Sequence, residues 1–266
     1  MKKATVIVGL LLGSALLALT LVGAPPASAA AELLSWRVDG QTREAIVYAP
    51  AASTTGGRRP LVMAFHGLGD TAEHFQLVNL HLAWPDAVVA YFQGLPTRGG
   101  LPGWQVERGQ YDDRDLKLVD AALAGLRNEF SIDDERIYAT GFSNGAMLTY
   151  LLWAERPQVF AAYAPVAGRL RPSVQPTERR PLLHVGGSRD TQVAFADQKV
   201  AFEEAIRVNG VAGQGQPCGD GCTLYGPATA APVMVSIHQG AHTYPSGTSE
   251  TIVRFLRQYT RRSPAQ

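Results

Sequence analysis

Cysteine is scarce in this chain. Of its 266 residues only Cys218 and Cys222, in "QPCGDGC", carry a thiol. Two cysteines in so short a stretch offer too few ligands for a structural metal site. Their spacing is also wider than that of the reactive pairs that thiol-exchange catalysts place at a helix start. An excess of charge is missing too. The 24 basic and 23 acidic residues leave a net charge of +1, which gives no electrostatic reason to expect nucleic acid or an anionic membrane surface as partner. Internal repeats and long linkers are absent, as are the glycine-rich motifs that cradle phosphates or dinucleotides, so no cofactor is expected. What is present is 46% hydrophobic residues, the composition of a packed globular protein.

The first 29 residues read as a secretory signal. Lys2 and Lys3 form a positive start, Val6 to Val22 an apolar run, and Ala27-Ser28-Ala29 the small residues that a signal peptidase accepts. The run is long enough that an uncleaved anchor is the alternative, but the small-residue junction favours cleavage, with no membrane insertion of the mature protein. Residues 30–266 are then one exported domain. In an oxidising compartment Cys218 and Cys222 are expected to form a disulfide across their glycine-rich loop.

Short apolar runs alternate with helical patterns along that domain. "EAIVYAP", "PLVMAFHG", "DAVVAYFQG", "RIYATG", "VFAAYAPVAG", "PLLHVGG" and "VMVSIHQG" have strand length. Several are apolar throughout, as strands covered on both faces should be. In "DRDLKLVDAALAGLRNEF", Leu116, Val119, Leu123 and Leu126 recur at helix spacing. The alternation predicts an α/β fold, a mostly parallel sheet with helices on both faces. "SWRVDGQTREAIVYAP" predicts an antiparallel hairpin at one edge.

Open α/β sheets place their chemistry in loops at strand ends, and three such loops carry it here. Gly141-Phe142-Ser143-Asn144-Gly145 joins a strand to a helix with no spare residue. A serine on so sharp a turn is lifted above the sheet as a nucleophile, and the N–H of Asn144 behind it faces the same space. The plainer alternative is a helix cap. A serine needs a base. His242, in the loop after the last strand, suits the chain order serine, acid, histidine better than His238, which ends that strand. Asp190, after "PLLHVGG", is the acid; Asp197 falls within a helix. In His66-Gly67-Leu68-Gly69-Asp70, the N–H of Leu68 is the second oxyanion donor, and Asp70 is expected to cap the next helix.

Together "LVMAFHGLGD", "DLKLVDAALAGLRNEFSIDDERIYATGFSNGAM", "HVGGSRD" and "GAHTYP" resemble the secreted polyhydroxybutyrate depolymerase and feruloyl esterase-like α/β-hydrolases. The resemblance runs over nearly the whole chain after its leader. It implies Ser143 as nucleophile, Asp190 as acid and His242 as base. Tyr244-Pro245 stands where such proteins commonly have Trp-Pro, and cysteines are fewer, so the ester acted on stays open. Trp104 and Tyr111, in a Gly/Pro-rich connection, suit docking of an acyl or aryl group as well as packing of that loop. Asp112, Asp113 and Asp115 stand at a helix start, where acidic residues favour the helix dipole, and no calcium-loop pattern follows. The expectation is thus a secreted carboxylic ester hydrolase. A non-catalytic binder on the same fold, or an acyltransferase or peptidase using the same residues, is the alternative.

Overall fold

The computed structural model describes residues 30–50 and 57–262. The stretch expected to be a secretory signal lies outside the described residues. The chain opens with a hairpin, β1 (Ala31–Val38) and β2 (Gln41–Tyr48), then runs into β3 (Arg59–Phe65). Two one-turn helices, α1 (Ala72–Phe75) and α2 (Leu80–Ala83), lead to β4 (Val88–Phe92). A small ribbon follows, β5 (Leu95–Pro96) with β6 (Pro102–Gly103), before the long α3 (Arg114–Glu129). Then come β7 (Ile132–Phe142), α4 (Asn144–Glu155), β8 (Ala162–Val166), β9 (Leu182–Gly187) and α5 (Phe195–Val208). A second hairpin, β10 (Gln216–Gly219) and β11 (Cys222–Tyr225), precedes β12 (Val233–His238) and α6 (Thr248–Leu256).

Ten strands form one sheet in the order β1-β2-β4-β3-β7-β8-β9-β12-β11-β10. The stretch from β4 to β12 is parallel, and each edge is finished by an antiparallel hairpin. The α/β expectation therefore holds, including the first hairpin. The second hairpin and the β5–β6 ribbon were not anticipated. Cys218 and Cys222 are joined by a disulfide within β10 and β11, at the outermost edge of the sheet.

Each face of the sheet has its own core, because strand side chains alternate. Leu61, Met63 and Phe65 of β3 point towards α3, α4 and α5, whereas Val62 and Ala64 point towards α1, α2 and α6. The stripe Leu116, Val119, Leu123 and Leu126 of α3 is buried as its periodicity predicts. Helix α4 is buried almost all round, from Gly145 to Trp153. A helix so enclosed has little freedom to shift, and that fixes what stands at its N-terminus.

Candidate active site

Ser143 sits between β7 and α4 with φ 55° and ψ −113°, a conformation that residues with a Cβ rarely adopt. Close packing below leaves no gentler path. A Cβ placed on Gly145 would lie 2.1 Å from the carbonyl oxygen of Phe65. Only glycine lets α4 start this near to β3. Ser143 makes no side-chain capping bond, so the helix-cap alternative does not describe it. Its N–H donates to the Val166 carbonyl at 2.9 Å, and its Oγ lies 2.8 Å from Nε2 of His242.

Nδ1 of His242 is 2.7 Å from Oδ2 of Asp190. Asp190 is 4% exposed, yet all its polar needs are met. The N–H groups of Gln192 and Val193 donate to Oδ1 at 3.0 Å each, and Gln198 Nε2 donates to Oδ2 at 2.8 Å. Facing this carboxylate, Nδ1 of His242 must carry the proton, which leaves Nε2 as the acceptor for the serine hydroxyl. The loops after β7, β9 and β12 thus bring Ser143, Asp190 and His242 into one line. His238 is elsewhere: its Nδ1 accepts from the N–H of Gly240, and burial holds its pKa below the ordinary histidine value.

The loop after β3 comes up beside the serine. The amides of Gly69 and Asp70 are committed to the carbonyls of Pro102 and Gly67. No hydrogen bond among the described residues uses the N–H of Leu68. Asn144, as first residue of α4, has an N–H with no acceptor inside its helix. His66 locks this loop from beneath. It is fully buried, with Nδ1 donating to the Gly67 carbonyl at 2.6 Å and Nε2 accepting from Gly94 N–H at 2.9 Å. Burial pushes its pKa down, so it acts as a neutral strut. Asp70 caps differently from expectation. Thr71 is the N-cap of α1, and Asp70 pairs with His74.

Trp104 corrects the sequence reading. At 1% exposure it has no face to offer a substrate. Its ring stacks edge-on to Phe65, and its indole N–H donates to the His66 carbonyl at 2.8 Å. Its backbone is held by Asn144, whose Oδ1 accepts from Trp104 N–H at 2.7 Å and whose Nδ2 donates to Trp104 O at 3.2 Å. Tyr111 is half-exposed and bolts the same ribbon: its hydroxyl accepts from Arg98 N–H at 3.3 Å, under an Arg114 guanidinium 4.2 Å from the ring. The aspartates at the start of α3 also have work beyond a helix dipole. Asp115 is buried against Arg43 at 2.8 Å, and Asp113 accepts from Gln105 and Gly109.

A cleft of about 620 Å³ opens beside His242, lined by Asp70, His74, Phe75, Leu77, Phe142 and Glu250 among others. In the loop after β3 and the β5–β6 ribbon, Leu68 and Leu101 are each 52% exposed, with Leu101 close to Gly69 and Leu68 close to Gly103. Among the described residues no cluster of His, Cys, Asp and Glu could hold a metal ion.

Sheet order, a strained serine between strand and helix, and three strand-end loops meeting at one point define the α/β-hydrolase fold. The comparisons with known proteins agree. A model of the prolyl oligopeptidase family matches residues 104–172, a segment with Ser143 but without Asp190 or His242. The "Putative esterase NocK" of Nocardia uniformis subsp. tsuyamanensis is 34% identical over 58% of this chain and 46% of its own. A bifunctional acetylxylan esterase/xylanase of Neocallimastix patriciarum is 30% identical over 58% of this chain and 22% of its own. A poly(3-hydroxyalkanoate) depolymerase C of Paucimonas lemoignei is 32% identical over 41% and 28%. The chain thus spans less than half the length of these relatives. Among solved structures, a ferulic acid esterase from Anaeromyces mucronatus shares the fold, with a TM-score of 0.60 at 15% identity over 90% of this chain and 93% of that one. The chain has the α/β-hydrolase fold, and its sequence relatives carry the names of esterases and a depolymerase.

Proposed function

We propose that this protein is an exported serine esterase that cleaves carboxylic esters through an acyl-enzyme on Ser143. The observation that carries this reading is the continuous line from Asp190 Oδ2 through His242 to Ser143 Oγ, at 2.7 and 2.8 Å. His242 Nε2 takes the hydroxyl proton as Oγ attacks the ester carbonyl. The developing oxyanion is received by the N–H groups of Leu68 and Asn144, and fixed donors aimed at that charge are worth several kcal/mol, roughly 3 to 4 for one donor. His242 then gives its proton to the departing alkoxide, and the alcohol leaves. A water molecule, deprotonated by the same nitrogen, attacks the acyl carbon and returns Ser143 to its hydroxyl form.

Export is supported by the Cys218–Cys222 disulfide, a bond that persists in oxidising compartments. The names of the relatives favour acyl esters attached to, or forming, a polymer: acetylated xylan, feruloylated polysaccharide or polyhydroxyalkanoate.

The test has two arms. A fluorophosphonate probe should label Ser143 covalently, located by peptide mass spectrometry. Soluble acetyl, feruloyl and 3-hydroxybutyrate esters should then be hydrolysed, with the matching anilides turned over far more slowly. A folded sample that neither labels nor turns over any ester would mean a binding protein on a hydrolase fold. Faster cleavage of the anilides would mean a peptidase.

A further inference from the structure

Behind Asp190 runs a file of buried side chains that the reaction above leaves unused. Gln198, on α5, is fully buried and its amide is fully committed. Its Nε2 donates to Asp190 Oδ2 at 2.8 Å and to the Val193 carbonyl at 2.7 Å. Both partners are acceptors, so the amide has one orientation. Its Oε1 therefore accepts, and the group facing it at 3.2 Å is Nε2 of His184, which must carry the imidazole proton. Nδ1 of His184 in turn accepts from the Tyr150 hydroxyl at 2.8 Å. Both residues are buried, with His184 at 0% and Tyr150 at 1% exposure. Burial pushes His184 down to about 4 and Tyr150 upwards, so both stay neutral at ordinary pH.

Donor and acceptor are thus assigned from one end to the other: Tyr150 to His184, His184 to Gln198, Gln198 to Asp190. The file also closes on itself. Tyr150 belongs to α4, the helix that begins right after Ser143, while Asp190 holds His242 and His242 reaches Ser143. Two N–H groups occupy Oδ1 of Asp190, so Oδ2 alone is shared between Gln198 and His242.

We propose that Gln198 is a positioning residue for the acid–base pair, held in its working orientation by His184 and Tyr150. By donating to Oδ2 it fixes the carboxylate and limits how strongly Asp190 draws the proton of His242. This inference rests on the esterase reading. The other titratable groups near the pair are His238, at the end of β12, and Asp70, His74 and Glu250 along the cleft. None of them touches Oδ2.

The test compares wild type, Gln198→Met and Gln198→Glu, each corrected for its active fraction by fluorophosphonate titration. For a soluble ester, kcat and KM are measured over about pH 5 to 9, the span in which a histidine base titrates. Methionine keeps the length but cannot donate, so Oδ2 serves His242 alone. The midpoint of the rise in kcat/KM should move up by roughly half to one pH unit, with kcat per active site about tenfold lower and KM nearly unchanged. In Gln198→Glu the side chain faces the acceptors Asp190 Oδ2 and Val193 O, so it keeps its proton; its single O–H donates to Oδ2, its carbonyl oxygen accepts from His184, and only the Val193 carbonyl loses its donor. Its midpoint should stay within about 0.3 pH unit of wild type. A role in packing alone would lower the active fraction and leave every midpoint in place, which would overturn the proposal. A displaced midpoint in Gln198→Glu would also overturn it, even if the methionine variant does not fold. Wild-type protein that fails to label would instead bring down the esterase reading, and this inference with it.

Discussion

Ser143→Gly should make the protein more stable than Ser143→Ala, although both are inactive. The pair isolates one atom, the Cβ. Alanine keeps it, and with it the cost of holding φ 55° and ψ −113°. Residues confined to such sparsely populated backbone regions carry about 1–3 kcal/mol of strain. Glycine removes that cost but adds freedom to the unfolded chain, worth about 0.5–1 kcal/mol against the fold. The difference leaves Ser143→Gly ahead by roughly 0.5–2 kcal/mol. In a domain of this size that is a Tm higher by about 2 to 6 °C. Loss of the hydroxyl should lower ester turnover by about four to six orders of magnitude in both variants. Guanidinium melts of the two proteins, with equal slopes, give the difference directly. If Ser143→Gly proves equal to or less stable than Ser143→Ala, the turn is not strained and the view that the buried α4 imposes its geometry fails.

His184 should make the fold sensitive to acid. Its pKa is pushed from the ordinary 6.5 to about 4 by burial, so the stability it contributes is complete above pH 6.5 and lost as pH falls towards 4. That loss amounts to about 3 kcal/mol over the window, and His184→Gln should flatten the fall in denaturation midpoint by one proton's worth; parallel wild-type and variant curves would contradict this. Asp190→Asn should cost about 10⁴-fold in kcat/KM, because the backbone donors at Oδ1 would turn the amide NH₂ towards His242 and favour the wrong tautomer. His238→Ala should stay active while His242→Ala does not, measured on one soluble ester; the reverse result would mean that the base is misassigned. Replacing Cys218 and Cys222 with serine should cost no more than about 2 kcal/mol, since the bridge closes a very short loop, and should leave kcat intact because the bond lies at the sheet edge. A dead variant that still melts cooperatively would place that hairpin nearer the chemistry than the fold does.

Residues whose meaning is local were legible in the sequence. Ser143 announces itself by the glycines that strand and helix need in order to approach, and Asp190 and His242 by standing just past apolar strands in the right chain order. What stayed hidden depends on partners distant in sequence. Arg43 looks like a surface residue of a hairpin strand until Asp115 arrives from 72 positions away to bury it. Gln198 sits in an amphipathic helix where a glutamine is unremarkable, and only the assembled fold puts its amide between Asp190 and His184. Trp104, in a loop rich in glycine and proline, gives no periodicity from which burial could be inferred. Its indole was therefore as plausible a platform for substrate as a wedge for the loop. The disulfide was expected from two neighbouring cysteines, but the strands that carry it are too short and polar to register as a pattern.

Asn144 does two things with different parts of itself, and one consequence concerns how such a protein can change over time. Its side chain grips the main chain of Trp104, not any side chain of residues 95–101. A Cβ on Gly103 would come within 2.8 Å of that same amide oxygen, so the grip requires glycine there and asks little of the ribbon's tip. The tip, including the exposed Leu101, can then be rewritten by mutation while the Asn144 N–H keeps its aim. The ribbon behaves as an exchangeable cassette beside the loop that carries Leu68, whose surface can be resampled one residue at a time while the residues around Ser143 stay in place.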